Sequence, residues 1–262
     1  MSIIDFHAHI YPDKIAEKAV HSVGDFYGVT MAAHEGTADE LLRISEDTGV
    51  ERIIVHSVAT SPTQVSSINR FIASSCEKHP EFIGFGTLHQ DLDDFNAALD
   101  ELQALGLRGV KLHPDTQEFD LDADIMMPVY AEIARRGLPM IFHTGDYRHD
   151  WSHPRRMRHV LQEIPDLVVD AAHFGGWSVF DLAIDYMKDM NCYMDLSSSM
   201  CFLGPNRTRE LIEIYGADRI LFGSDFPMWS PREELAMFYS LGLSRTDQEK
   251  ILYENAAHIL GL

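Results

Sequence analysis

The sequence predicts an α/β fold, a single closed (β/α)8 barrel with an extra helix and loop after its first strand. Three observations carry that expectation. Short runs rich in Val, Ile and Phe alternate with amphipathic helical segments, the pattern of βα units on a parallel sheet. Eight such runs occur: Ile3–His9, Arg52–Val58, Phe82–Leu88, Gly109–His113, Pro139–His143, Leu167–His173, Tyr193–Ser197 and Ile220–Asp225. The chain has 262 residues, 45% of them hydrophobic, and one barrel of this kind takes about 250 residues. Residues 1–262 are therefore read as one domain.

The first strand ends in His7 and His9, which alternation places on one side. The connection after it, from Ile10 to Gly36, is oversized. A helix from about Pro12 and a loop containing Gly24 and Gly28 are expected to cover the barrel mouth. Thr37-Ala38-Asp39-Glu40 reads as a capping box, with Leu41, Leu42 and Ile44 as the buried stripe behind it. Further helices are expected over Asp94–Leu105, Met127–Arg136, Pro154–Ile164, Ser178–Met190, Arg207–Tyr215 and Arg232–Leu241, each with apolar residues at helical spacing. No repeat or low-complexity stretch interrupts them.

Composition excludes some functions. A formal charge of −20 opposes binding to phosphate backbones and anionic lipid surfaces, so no nucleic-acid or membrane partner is expected. Arg155, Arg156 and Arg158 read as a solvated helix face. Cys76, Cys192 and Cys201 form no CxxC pair, and their odd number leaves at least one thiol without an internal partner. That usage fits a reducing cytosol, and neither an export signal nor a membrane-spanning run is read. A small molecule is the expected partner, with a homodimer as a further expectation.

Polar residues at the C-terminal ends of barrel strands converge, because active sites in this architecture lie there. Those ends carry His7 and His9, His56, Lys111 and His113, His143, His173 and Asp225. Imidazoles with a carboxylate at one mouth supply ligands for a divalent cation and leave positions open for water. For each histidine alone, the competing reading is a satisfied core residue.

Taken together, Asp5-Phe6-His7-Ala8-His9, Gly109-Val110-Lys111-Leu112-His113-Pro114, Phe142-His143-Thr144-Gly145, Ala172-His173-Phe174-Gly175-Gly176, Asp195-Leu196-Ser197-Ser198, Ile220-Leu221-Phe222-Gly223-Ser224-Asp225-Phe226-Pro227 and Asn255-Ala256-Ala257 resemble the amidohydrolase superfamily. The resemblance spans nearly the whole chain. It points to the amidohydrolase-related branch, TIM barrels that include metal-dependent hydrolases, nonoxidative decarboxylases such as aminocarboxymuconate semialdehyde decarboxylase, and hydratases. It implies His7, His9, His143 and Asp225 as metal ligands, Asp225 also as proton shuttle, and His173 as an acid or base outside the ligand set. One divalent cation is implied, with zinc the default and manganese or iron also suited to the donors. In other branches a strand-four lysine is carboxylated to bridge two metals. The present resemblance favours one metal, so Lys111 either packs in the barrel or meets a substrate anion.

His113 is read either as a substrate contact or as an inward histidine held by a carbonyl. Arg148 is read as a clamp for a substrate carboxylate or as a surface residue. Trp177, with Tyr11, Phe202 and Trp229, lines a pocket or a subunit interface. The expected function is hydrolysis of an ester, lactone or amide by metal-bound hydroxide. The alternative is nonoxidative decarboxylation of a small carboxylic acid at the same centre. A catalytically silent barrel would lack ligand positions, and none is missing.

Overall fold

The computed structural model describes residues 2–29 and 34–262. Nine short strands are found among the described residues: β1 (Ile3–His9), β2 (Val50–His56), β3 (Phe82–Gly84), β4 (Gly86–Thr87), β5 (Val110–Leu112), β6 (Met140–Phe142), β7 (Val169–Ala171), β8 (Met194–Asp195) and β9 (Ile220–Leu221). The helices are α1 (Asp13–Tyr27), α2 (Ala38–Ser45), α3 (Val65–Lys78), α4 (Phe95–Ala104), α5 (Pro114–Gln117), α6 (Met127–Arg135), α7 (Pro154–Glu163), α8 (Phe180–Met187), α9 (Met200–Tyr215), α10 (Pro231–Ser240), α11 (Arg245–Glu249) and α12 (Asn255–Leu260).

All eight expected strands are present, most of them shorter than the apolar runs. The third is broken at Phe85 into β3 and β4, because the Phe85 amide donates back to Val55 O at 3.0 Å while Gly86 N turns to Gly109 O at 2.9 Å. Every strand pair is parallel. The ring closes through backbone bonds outside the regular ladders. Tyr193 N donates to Val169 O at 2.8 Å, linking β7 to β8. Phe6 N donates to Phe222 O at 2.8 Å, and Asp225 N to His7 O at 2.7 Å, linking β9 back to β1. This is the (β/α)8 barrel that the sequence predicts.

Two apolar layers hold it. Ile4, Phe6, Ile54, Ile83, Phe85, Ile141, Ala172 and Leu221 come from strands all round the ring and meet in one cluster, which requires the barrel interior. Ala256, Ala257 and Leu260 of α12 join that cluster and close its lower end. Asn255 fixes α12 by donating its amide to Ala217 O and Ile220 O, both at 2.8 Å. The larger cluster lies between strands and outer helices.

The helix that follows β1 spans Asp13–Tyr27, with Gly28 as a left-handed cap at φ 67°. The covering segment expected over 10–36 is thus helical in its first half, and 30–33 lie outside the described residues. Gly24 is buried within the helix instead of in a loop. The capping box at Thr37 is only half formed. Thr37 Oγ1 accepts from Glu40 N at 3.3 Å, but the Glu40 carboxylate reaches past the cap to Glu35 N and Gly36 N at 2.5 and 3.0 Å. A complete box occurs at Ser230 and Glu233, which start α10. The ninth helix starts at Met200, before the expected Arg207, and is kinked where Gly204 takes φ 68° ahead of Pro205. No helix among the described residues is long and apolar enough to cross a membrane.

Candidate metal centre and active site

Strand β1 carries His7 and His9 to the mouth with their rings 5.4 Å apart, as alternation predicts. A register shift between Asp5 and Ala8 re-aims the end of the strand. His7 is fully buried and its Nδ1 lies 2.6 Å from Asp195 Oδ2. A carboxylate accepts only, so Nδ1 carries the hydrogen and Nε2 keeps its lone pair for the mouth. Gly223 makes this packing possible, since a Cβ there would stand 2.9 Å from His7 Cβ.

Asp225, just beyond β9, turns its Oδ1 to within 3.4 Å of His7 Nε2 and 3.5 Å of His9 Nε2. Donors held 2.0–2.1 Å from a tetrahedral cation stand about 3.4 Å from one another. Asp225 Oδ1 thus stands from each imidazole at the separation of two ligands on one cation, and His7, His9 and His56 form a donor group within 4.8 Å, so the residues present fit a divalent cation. The other carboxylate oxygen, Oδ2, accepts from Ser198 Oγ at 2.5 Å, and Trp229 Nε1 donates to that same Oγ at 3.0 Å. His173, Ser198 and Asp225 adopt φ of 61°, 51° and 55°. Side chains other than glycine rarely take that left-handed region, and such residues gather where a site over-determines the backbone.

Burial is the first cause that holds the pKa of His7, His9, His56, His113 and His143 well below the usual imidazole value. Neutral imidazole is the form that ligates a cation. Burial likewise raises the Asp225 carboxyl, opposed by His173, Ser198 and Lys111. Lys111 is fully buried on β5, its Nζ 3.0 Å from His7 Nε2. Burial lowers its ammonium to about 8 against the opposing pull of Asp225, Asp195 and Asp170.

The structure does not bring His143 into the His7–His9–Asp225 triangle. Its ring stacks on His113 at 4.0 Å and 5°, and its Nε2 faces Gly145 O at 3.1 Å and Asp115 Oδ2 at 3.7 Å. His113, Asp115 and His143 form a donor group of their own. Gly145 sits there because a Cβ would come 2.6 Å from the Gly176 backbone. His173 lies between the two groups, its ring 5.1 Å from His7 and 5.0 Å from His143. Its Nδ1 donates to Ser197 O at 2.8 Å, which leaves Nε2 as a lone-pair base in the neutral ring.

Arg148 does not present an open fork to a substrate. Its Nε and Nη2 bind Asp146 at 2.6–3.2 Å, its Nη1 donates to Phe26 O, and its guanidinium lies over the Phe26 and Tyr27 rings at 4.8 and 5.4 Å. It pins the end of α1 over the mouth. Trp177 does line the mouth, 4.9 Å from Tyr27 and 6.3 Å from Phe202.

Three contributors were not singled out for the site from sequence. Asp195 and Ser198 orient His7 and Asp225, and their place directly after a strand end was the available signal. Tyr27 arrives from α1, with no strand-end signal. His56 was noted at the end of its strand as one of several histidines. It is fully buried 4.3 Å from His9 and 5.0 Å from His7, ring to ring, and neither ring nitrogen has a hydrogen-bond partner among the described residues. Its donors lie within 4.8 Å of those of His7 and His9.

Comparison with known proteins bears on the fold and the family. The γ-resorcylate decarboxylase of Rhizobium sp. (strain MTP-10005) is 23% identical over 313 residues, covering 96% of this chain and 95% of the relative. Among solved structures, an uncharacterized TIM-barrel protein of Bordetella bronchiseptica, Bb4693, superposes with a TM-score of 0.78 at 22% identity over 100% of this chain and 99% of that one. A dihydroxybenzoic acid decarboxylase from Polaromonas sp. JS666, with bound manganese and the inhibitor 2-nitroresorcinol, gives 0.73 at 18% over 100% and 97%. A putative 2-pyrone-4,6-dicarboxylic acid hydrolase from Pseudomonas putida gives 0.70 at 20% over 99% and 97%. These structures share the fold. The family model described as amidohydrolase matches residues 4–262, and the chain belongs to that family.

Proposed function

We propose that this enzyme is a metal-dependent decarboxylase of a small hydroxy-aromatic carboxylic acid. One observation carries the reading: the buried Lys111 ammonium stands beside the His7–His9–Asp225 donor triangle. A fully buried cation next to a cation site offers a seat for a carboxylate. The relationship to a decarboxylase along nearly the full length of both chains supports the same order, and moves decarboxylation ahead of the hydrolysis that the sequence placed first.

His7, His9 and Asp225 would hold the cation, with His56 beside them. When bound, it would draw negative charge from substrate oxygens. Lys111 pairs with the acid's carboxylate and fixes its direction. Asp225, anchored through Oδ2 by Ser198, delivers a proton to the carbon that bears the carboxylate. The carbon–carboxylate bond then breaks, carbon dioxide leaves, and Asp225 regains a proton from solvent. Trp177 and the end of α1 keep bulk water from the reacting carbon.

Hydrolysis is the second reading, and His173 favours it. Its Nδ1–H bond to Ser197 O leaves Nε2 as a base able to take a proton from water. The two readings separate when protein loaded with Zn2+ or Mn2+ is given γ-resorcylate and 2-pyrone-4,6-dicarboxylate, with carbon dioxide and acid release followed independently. Carbon dioxide from the resorcylate is the expected result. Acid release from the pyrone without carbon dioxide from the resorcylate overturns decarboxylation, and inertness toward both defeats either reading.

A further inference from the structure

The oversized connection after β1 brings one side chain to the site that no metal or proton role has used. Tyr27 is the last residue of α1, and its hydroxyl lies 2.7 Å from Nε2 of His113. His113 stacks on His143, and the Tyr27 ring itself is 6.1 Å from the His143 ring and 4.9 Å from Trp177. The hydroxyl therefore stands at the mouth, beside the His113–His143 stack.

The tautomer of His113 decides which way this bond runs. Nδ1 of His113 receives the Thr116 N–H at 3.3 Å, an N–H it shares with the His113 carbonyl, and so caps the start of α5. A nitrogen that faces an N–H carries a lone pair, so the ring hydrogen sits on Nε2. His113 then donates to Tyr27 Oη, and the phenolic hydrogen is left to donate elsewhere. No acceptor for it occurs among the described residues.

The tyrosine is held in this pose by its own neighbours. Arg148 donates to the carbonyl of Phe26, covers both aromatic rings, and is fixed in turn by the two oxygens of Asp146. Side chains from the segments after β5 and β6 thus lock a residue that the helix delivers. A pre-aimed O–H donor whose oxygen already accepts from an imidazole is a better donor, because each bond polarises the next. It suits an anionic oxygen.

We propose that Tyr27 donates to the same substrate carboxylate with which Lys111 pairs, with His113 and Arg148 as its positioning residues, so that the α1 segment confers selectivity for acids over their neutral, decarboxylated counterparts. The inference rests on the carboxylic-acid reading given above and holds for either reaction, since both γ-resorcylate and 2-pyrone-4,6-dicarboxylate carry carboxylates.

The test uses full-length, Mn2+-loaded protein. In Tyr27→Phe, KM or Kd for the acid that the wild type accepts should rise roughly 10- to 100-fold, the range for a lost hydrogen bond to a charged group. Inhibition by resorcinol, which lacks the carboxylate, and bound manganese should stay at wild-type values. Nitrogen-15 histidine spectra of the wild type should show His113 as the Nε2–H tautomer. Equal acid affinity in wild type and Tyr27→Phe overturns the proposal, as does an equal loss for resorcinol or an Nδ1–H tautomer. A wild type that binds neither acid overturns the functional reading and this one together. A wild type that binds an acid as tightly as Tyr27→Phe overturns this one alone.

Discussion

The ammonium of Lys111 points at Nε2 of His7 from 3.0 Å, the same lone pair that faces Asp225 and the candidate cation. One nitrogen thus faces two cations that repel each other, and a cation that binds must turn the lysine from His7 toward the substrate's carboxylate. Two unit charges about 4 Å apart cost about 4 kcal/mol at an effective dielectric near 20. Lys111→Met should therefore bind Zn2+ at least about tenfold more tightly in chelator competition, while turnover of the acid falls. Weaker zinc binding in that variant would show that the lysine supports the centre.

Cation binding should also be visible in stability. At a free concentration one hundred times Kd, a ligand of the native state adds about 2.7 kcal/mol, worth about 5–10 °C in a chain of this size. Chelator treatment should lower the melting temperature by that amount, and Zn2+ or Mn2+ should restore it. His56 sharpens the test, because its two buried nitrogens lack partners among the described residues. His56→Phe should raise the melting temperature of the metal-free protein and shrink the gain on adding metal. An undiminished gain would place His56 outside the centre.

Asp225 has both oxygens engaged, one toward two imidazoles and one by Ser198. Asp225→Asn keeps the shape and the Ser198 contact, so the fold should persist by circular dichroism. Turnover should drop by about 10²–10⁴, the usual worth of a positioned proton donor. Retained activity would remove Asp225 from the proton path.

Glu234 on α10 is buried with neither carboxylate oxygen hydrogen-bonded among the described residues, and burial raises its pKa well above the ordinary 4.5, with Asp225, Asp5 and Asp195 adding to the effect. Folding thus favours its protonated form. That contribution is complete below pH 4.5 and is lost as pH rises through the folded-state value. Glu234→Gln cannot ionise, so it should melt about 3–10 °C above wild type at pH 9 and near it at pH 4. A constant difference across that range would mean that the carboxyl does not titrate on folding.

Much of this arrangement was readable in the chain. Alternation placed His7 and His9 together, and the eight apolar runs foretold a ring whose strand ends would carry Asp225 and His173 to the same mouth. For Arg148 the sequence leaves a substrate clamp and a surface residue both open; only the fold shows Asp146 two residues earlier and the Phe26 carbonyl from α1 taking its donors. Tyr27 was missed because helix periodicity treats it as one more residue at the end of an amphipathic segment.

The sequence by itself determined the barrel, because side-chain period and apolar content act locally and repeat eight times. It also set the donor types at the mouth, since residue identity needs no coordinates. Tertiary structure alone decided how those donors are shared. His7 Nδ1 goes to Asp195, Asp225 Oδ1 closes on His7 and His9, His143 turns to His113 and Gly145, and His56 joins the first pair. The reason is directional. A hydrogen bond or a ligand contact depends on angles and on distances of a few tenths of an ångström between residues up to some two hundred positions apart, and no local pattern in a chain encodes them.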